Sequence, residues 1–108
     1  MTKRTIGVLG AGTWGMALAR MLCVSGHAVT VWSALPEEID TLSTTRVHKN
    51  LPGMTIPQEL GFTKSIEEVC TGKDIVMFAV PSVFVRSTAA KARPYLPDGQ
   101  IIVDVAKG

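Results

Sequence analysis

Three glycines close to the N-terminus have the spacing at which a protein backbone can approach phosphate. Gly10, Gly12 and Gly15 form the pattern GxGxxG, which follows an apolar run over residues 5–9 and precedes a run of helix formers. In this setting the first glycine permits a tight turn, the second admits a pyrophosphate, and the third lets the helix pack on the strand. The helix N-terminus then offers N–H groups and the positive end of its dipole to the phosphates. The pattern predicts a dinucleotide site, with a ligand-free glycine turn as the alternative.

The residue that normally selects the ribose of NAD is missing from its usual place. That residue is an acid about twenty residues after the glycines, at the end of the second strand, where this chain has Ser33 followed by Ala34. Glu37 and Glu38 are near, but we expect the helix that contains them to direct both away. Two roles are open for Arg46: a ligand of a 2′-phosphate, or a solvated surface charge. We therefore expect Ser33 and Ala34 to bind the ribose and the site to accept both NAD(H) and NADP(H).

Apolar runs alternate with helical patterns along the chain, which is typical of a parallel α/β sheet. Strands are predicted over residues 5–9, 28–32, 62–63, 74–80 and 101–105, and helices over 14–25, from Pro36, after Ser65, and over 82–92. Ser65 and Glu68 are predicted to form a capping box in which Glu68 reaches back to the Ser65 N–H. Residues 46–61 are predicted to form a loop. We expect an α/β, Rossmann-type doubly wound parallel sheet, in a single domain over residues 1–108.

Composition and charge argue against several classes of protein. The chain has 108 residues, 46% of them hydrophobic and 19% charged, as expected for one globular domain. A net charge of +2 without a basic run gives no reason to expect nucleic acid binding. No apolar stretch approaches the ~20 residues of a membrane span, so no membrane insertion is expected. Cys23 and Cys70 lack metal-ligand spacing and are expected to be buried thiols, which favours the reducing cytoplasm.

Further segments of the chain carry residues that a generic dinucleotide-binding fold does not require. The segment from Gly12 to Ala19 reads GTWGMALA, with a tryptophan inside the glycine pattern. Other short segments follow in order, namely Leu51-Pro52-Gly53, Ile56-Pro57, Val80-Pro81-Ser82 with Phe84, and Ala106-Lys107-Gly108. Together they resemble, over nearly the whole chain, the NAD(P)-dependent glycerol-3-phosphate dehydrogenases, whose signature is GxGxWGxAxA.

The resemblance implies reversible reduction of dihydroxyacetone phosphate to sn-glycerol 3-phosphate, a precursor for phospholipid synthesis, with NAD(H) or NADP(H) as cofactor. It implies that Thr13, Trp14 and Pro81 belong to the cofactor site and that Phe84 lies against the nicotinamide end. Lys107 corresponds to a lysine that binds both cofactor and substrate. The residues themselves leave alternatives open, because Trp14 and Phe84 can be core residues and Lys107 a surface charge. Lys107 does follow a strand end, where open α/β sheets bind their ligands.

The chain departs from that family in two places. His48-Lys49-Asn50 run directly into Leu51, where the family has an asparagine, a spacer and an aromatic residue, so no site residue is carried over from this loop. In the family a helical substrate domain with the catalytic lysine follows, so we expect no catalytic residue and no turnover within residues 1–108. A homodimer is compatible with this interpretation. Two alternatives stay open: another two-domain dehydrogenase of the ketopantoate reductase type, or a free-standing dinucleotide-binding module.

Overall fold

A five-stranded parallel sheet forms the centre of the computed structural model, which describes residues 3–48, 51 and 53–105. The strands are β1 (Thr5–Leu9), β2 (Ala28–Trp32), β3 (Gly61–Thr63), β4 (Ile75–Phe78) and β5 (Ile101–Asp104). The helices are α1 (Thr13–Val24), α2 (Pro36–Thr45), α3 (Ile66–Cys70) and α4 (Val85–Ala92), with 3₁₀ turns at Ser82–Phe84 and Arg93–Tyr95. In the strand order β3-β2-β1-β4-β5, the chain places β2 and β3 on one side of β1 and then β4 and β5 on the other side. The predicted doubly wound sheet is therefore confirmed.

Strand β1 is covered on both faces, which explains its unbroken apolar sequence. Ile6 and Val8 pack in one cluster with α1, whereas Leu9 packs in a second cluster with Val69 of α3. Helix α3 lies so close to β1 that a Cβ atom added at Gly7 would be 1.9 Å from the Val69 carbonyl oxygen. Packing against both faces of β1 thus fixes the position of the strand and of the turn that follows it.

The two cysteines belong to different clusters of the core. Cys23 packs in the cluster with Ile6, and Cys70 packs in the cluster with Leu9. Both are free and buried, which confirms the prediction of buried thiols. Burial raises the pKa of each thiol, because it penalises the charged thiolate. Among the described residues no group of three His, Cys, Asp or Glu side chains could hold a metal ion, and no helix is long and apolar enough to cross a bilayer.

The bounds of several elements depend on local contacts rather than on the ends of apolar runs. The run from Asp74 to Val80 forms a strand only over Ile75–Phe78, because the backbone at Ala79 and Val80 lies directly against the turn at Gly10. The predicted helix over 82–92 begins instead with a 3₁₀ turn, in which the Phe84 N–H bonds to the Pro81 carbonyl at 2.8 Å. Helix α1 begins and ends one residue before the predicted bounds, a difference typical of helix ends.

The predicted capping box at the start of α3 forms only in part. Ser65 Oγ accepts the Glu68 N–H at 3.2 Å, as predicted. The predicted return bond from the Glu68 side chain is wrong, because the Ser65 N–H donates to Thr63 Oγ1 at 3.0 Å. Thr63 is the last residue of β3, the short edge strand that the sequence predicted at residues 62–63. The strand itself therefore supplies the second acceptor.

One carboxylate, that of Asp74, connects the starts of β1 and β4. Its Oδ2 accepts the Thr5 N–H at 2.8 Å and the Thr5 hydroxyl at 3.1 Å. Bonds from the Thr5 backbone and then from its hydroxyl favour the charged form and lower the pKa of Asp74. The stability that Asp74 contributes is therefore fully present above the ordinary aspartate pKa of about 4. It is lost as the pH falls through the lowered pKa of the folded state.

We expect Asp74→Asn to lose less stability than the wild type between about pH 6 and about pH 2, because asparagine accepts the same bonds without titrating. Urea unfolding at the two pH values measures the difference. Asp98→Asn, in the exposed turn before β5, is the control for removing one carboxylate. Equal losses in the wild type and in Asp74→Asn would show that Asp74 does not contribute to acid sensitivity.

Candidate functional site

The glycine turn lies at the carboxyl edge of the sheet, where the strand order reverses. Its Gly10 N–H donates to the Trp32 carbonyl at the end of β2, at 2.8 Å. On the other side, the Ala79 N–H, just after β4, donates to the Leu9 carbonyl at 2.9 Å. The turn is therefore tied to both neighbours of β1. Open α/β sheets bind their ligands in the crevice at such a reversal.

The glycines of the turn differ in what surrounds them. Gly10 has a φ of 129°, and a Cβ atom there would lie 2.8 Å from the Ala79 carbonyl carbon. A Cβ atom at Gly15 would lie 2.4 Å from the Gly10 carbonyl oxygen, because α1 packs tightly against the turn. At Gly12, in contrast, nothing lies within 4 Å of an added Cβ atom. Two glycines close the turn and the middle one faces a cradle that a side chain would fill, as a pyrophosphate site requires.

Helix α1 directs its N-terminus to the cradle beside Gly12. Gly12 is the N-cap, with an extended backbone at φ −71° and ψ −175°, and it provides no side-chain cap. The first helical turn contains no acidic residue. The first N–H groups of a helix lack intrahelical acceptors and carry partial positive charge. A phosphate in the cradle would satisfy these donors and complement their charge.

A groove of about 140 Å³ joins the glycine turn to the loop after β4. Its lining comprises Gly12, Thr13, Trp14, Ala79, Val80 and Pro81. The structure therefore brings together four of the predicted site residues. Phe84 lies nearby in the 3₁₀ turn and is 55% exposed, so the alternative that it is a core residue is wrong.

Trp14 connects the glycine turn to the end of β5. Its indole Nε1–H donates to the Val105 carbonyl at 2.8 Å, between residues that are 91 positions apart. The side chain is 42% exposed, so the core alternative is wrong for Trp14 as well. Lys107, two positions after Val105, lies outside the described residues. Its role as a ligand of cofactor and substrate stays a prediction.

A second cleft, of about 290 Å³, lies beside α2 and the residues that follow β2. Ser33, which directly follows β2, is buried, whereas Ala34 is exposed. The Ser33 hydroxyl donates to Glu38 Oε1 at 2.7 Å, and its oxygen accepts the Leu35 N–H at 3.0 Å. The expectation that Glu38 points away is therefore wrong. Glu38 lies in the first turn of α2, where side chains tilt toward the helix N-terminus and hence toward β2.

Arg46 binds the backbone of its own loop. It follows α2 in a left-handed conformation, with a φ of 58°. Its Nη2 donates to the carbonyl oxygens of Pro57 and Leu60, and its guanidinium lies 5.2 Å from the centre of the Phe62 ring. The interpretation of Arg46 as a solvated surface charge is wrong, since the side chain is partly buried against its own loop, whereas its role toward a 2′-phosphate stays a prediction. Arg46 closes the loop over residues 46–61.

His48 lies beneath the glycine turn and was not among the predicted site residues. It is buried, and its Nε2 lies 3.1 Å from the Ala11 carbonyl oxygen. Because a carbonyl oxygen only accepts, Nε2 carries the proton in this contact. The bond supports the turn between Gly10 and Gly12. No periodicity or spacing in the sequence indicates this contact, because 37 residues separate the partners.

Comparisons with known proteins agree with this geometry. The chain matches, over residues 5–108, the family described as NAD-dependent glycerol-3-phosphate dehydrogenase N-terminus. A glycerol-3-phosphate dehydrogenase [NAD(P)+] from Lactobacillus delbrueckii subsp. bulgaricus is 74% identical over 103 residues, which cover 95% of this chain and 31% of the relative. The crystal structure of glycerol-3-phosphate dehydrogenase from Coxiella burnetii matches with a TM-score of 0.91 and 28% identity, over 98% of this chain and 33% of that one. This chain therefore spans about a third of the length of such relatives.

The alternative of a ketopantoate reductase has weaker support. A ketopantoate reductase from Ralstonia eutropha matches with a TM-score of 0.79 over 96% of this chain and 34% of that one. Its sequence identity is 21%, which shows a shared fold alone. The family match covers all but the first four residues and includes the glycine turn. The chain belongs to the family of NAD-dependent glycerol-3-phosphate dehydrogenases, where it corresponds to the N-terminus.

Proposed function

We propose that this chain is the dinucleotide-binding part of an NAD(P)-dependent glycerol-3-phosphate dehydrogenase. The observation that carries the proposal is the open cradle at Gly12, between two glycines that permit no side chain, at the point where the strand order reverses. The reaction is the reversible reduction of dihydroxyacetone phosphate to sn-glycerol 3-phosphate, which supplies phospholipid synthesis. NAD(H) or NADP(H), when bound, supplies or accepts the hydride, and the chain provides binding and orientation.

Different residues of the chain would bind different parts of the proposed cofactor. The turn from Gly10 to Gly15 holds the pyrophosphate against backbone N–H groups and the N-terminus of α1. The residues after β2, Ser33 and Ala34, lie on the ribose side. Thr13, Trp14 and Pro81 line the groove on the other side of the turn, and the exposed ring of Phe84 is available to the nicotinamide.

The predicted contribution of Lys107 provides the test of function. We expect a chimera of this chain with the remaining part of the Lactobacillus relative to reduce dihydroxyacetone phosphate, measured by NADH absorbance. Lys107→Ala should raise the substrate KM by roughly tenfold or more, the value of one charge-assisted hydrogen bond, with a smaller change in the cofactor Kd. Lys107→Arg should rescue in part, because the two cations differ in shape and donor geometry.

The outcomes separate the proposal from its alternatives. A folded chimera that binds NADH without reducing the triose phosphate would favour another substrate or a free-standing binding module. A Lys107→Ala variant with an unchanged substrate KM would show that the lysine is a surface charge.

We also propose that the protein acts in the cytoplasm, which agrees with its buried free thiols. A homodimer stays a prediction, which sedimentation of the chimera would test.

A further inference from the structure

We infer that Glu38, held in place by Ser33, makes this site prefer NAD(H) over NADP(H). The inference rests on the proposed function, because it concerns the ribose end of the proposed cofactor. It replaces the sequence-based expectation of a site without a selecting acid. The carboxylate comes from the first turn of α2 rather than from the end of β2.

The Ser33 hydroxyl fixes the position of the Glu38 carboxylate. Ser33 is 6% exposed, so its side chain has little freedom to move. Its oxygen accepts the Leu35 N–H, which leaves the hydroxyl proton directed at Glu38 Oε1. The donor–acceptor distance of 2.7 Å is typical of a hydroxyl bound to a charged carboxylate. A single oxygen of Glu38 is used in this bond, and the half-buried side chain also lines the cleft beside α2.

The carboxylate lies where a ribose is expected. Ser33 directly follows Trp32, whose carbonyl accepts the Gly10 N–H of the glycine turn at 2.8 Å. The ribose of a dinucleotide with its pyrophosphate at this turn therefore comes close to Ser33. A carboxylate there accepts hydrogen bonds from the ribose hydroxyls of NAD. The same carboxylate repels a 2′-phosphate.

The charges around the cleft favour the same cofactor. Its described lining residues are Leu35, Glu37, Glu38, Thr41, Leu42, Val47 and His48, which include two acids and neither lysine nor arginine. Arg46, the nearest arginine along the chain, donates to the carbonyl oxygens of Pro57 and Leu60. The ring of His48 is bonded to the Ala11 carbonyl. Within the described part of the chain, the two acids of the cleft would repel a 2′-phosphate, and no lysine or arginine in the lining compensates for them.

A purely structural role for Glu38 is the competing explanation, because acids in the first turn of a helix interact favourably with its dipole. Glu67 is a matched control for such a role. It lies in the first turn of α3, carries the same charge and is exposed, but it does not line the cleft. Glu38→Gln retains an acceptor for the Ser33 hydroxyl and removes the charge alone. Ser33→Ala keeps the charge and removes the bond that positions it.

The test is calorimetric titration of NADH and NADPH into the wild-type chain and the three variants at one ionic strength, with circular dichroism to confirm folding. We expect the wild type to prefer NADH and Glu38→Gln to change the NADH/NADPH affinity ratio by roughly tenfold or more. Ser33→Ala should give a smaller change, and Glu67→Gln should stay within about twofold of the wild type. An unchanged ratio in Glu38→Gln, or a wild type that prefers NADPH, would overturn the inference. A folded wild type that binds neither dinucleotide would overturn the proposed function.

Discussion

Gly12→Val is expected to abolish dinucleotide binding while the domain stays folded. The space around an added Cβ atom is empty, and the extended backbone at φ −71° and ψ −175° suits a branched residue. The valine side chain would instead occupy the cradle and keep a pyrophosphate away from the backbone N–H groups. Loss of two charge-assisted hydrogen bonds corresponds to an affinity reduced roughly 100-fold or more.

Calorimetric titration with NADH, beside thermal unfolding of the same samples, measures both halves of this expectation. Gly53→Val is the matched control, because Gly53 also has no atom near an added Cβ but lies in the loop after α2. It should bind NADH as the wild type does. A Gly12→Val variant with wild-type affinity would remove the glycine turn from the site.

Gly7→Ala is expected to have the opposite effect, a loss of stability with no direct effect on the cradle. The added Cβ atom would lie 1.9 Å from the backbone oxygen of Val69, which can move only if α3 leaves β1. Overpacking of a core typically costs about 1–3 kcal/mol, and a backbone contact this short is expected to reach or exceed the upper value.

Urea unfolding of the variant and of Gly61→Ala tests this expectation. Gly61 is also a glycine in a strand, but the nearest atoms to its added Cβ lie 3.6 Å away, which is an ordinary contact. We expect Gly61→Ala to unfold near the wild-type midpoint. If the two variants unfold alike, α3 can move away from β1 at low cost, and the tight packing seen here does not determine stability.

The sequence allowed prediction of those features that depend on neighbours along the chain. The apolar run of β1 and the glycines that follow it predict the turn, because both signals lie within residues 5–15. The start of α2 at Pro36 agrees with the prediction, so the error about Glu38 concerns only the direction of its side chain. In the first turn the side chain tilts toward the helix N-terminus, where the Ser33 hydroxyl binds it.

Contacts between distant residues could not be predicted from local patterns. The bond from Trp14 to the Val105 carbonyl requires the position of β5 beside β4, which no spacing within the first helix reveals. In the sequence, Gly7 is only a glycine within an apolar run. The close approach of the Val69 backbone, which leaves no room for a side chain at this position, is not visible there. The capping box illustrates the same limit, since Thr63 displaces the acceptor that Glu68 was expected to supply.

The position of β1 between β2 and β4 also has a consequence for the folding of the chain. Ile6 pairs with Val29 on one side and with Ile75 on the other, so the second pairing must close a much longer loop. The wall of the cradle at Ala79 exists only after that closure. A dinucleotide therefore binds only chains in which both pairings are complete. At a concentration 100 times its Kd it would add about 2.7 kcal/mol to the stability of that state. Since the cradle is absent until β1 has paired with β4, we expect the ligand to slow unfolding and to leave the rate of refolding almost unchanged.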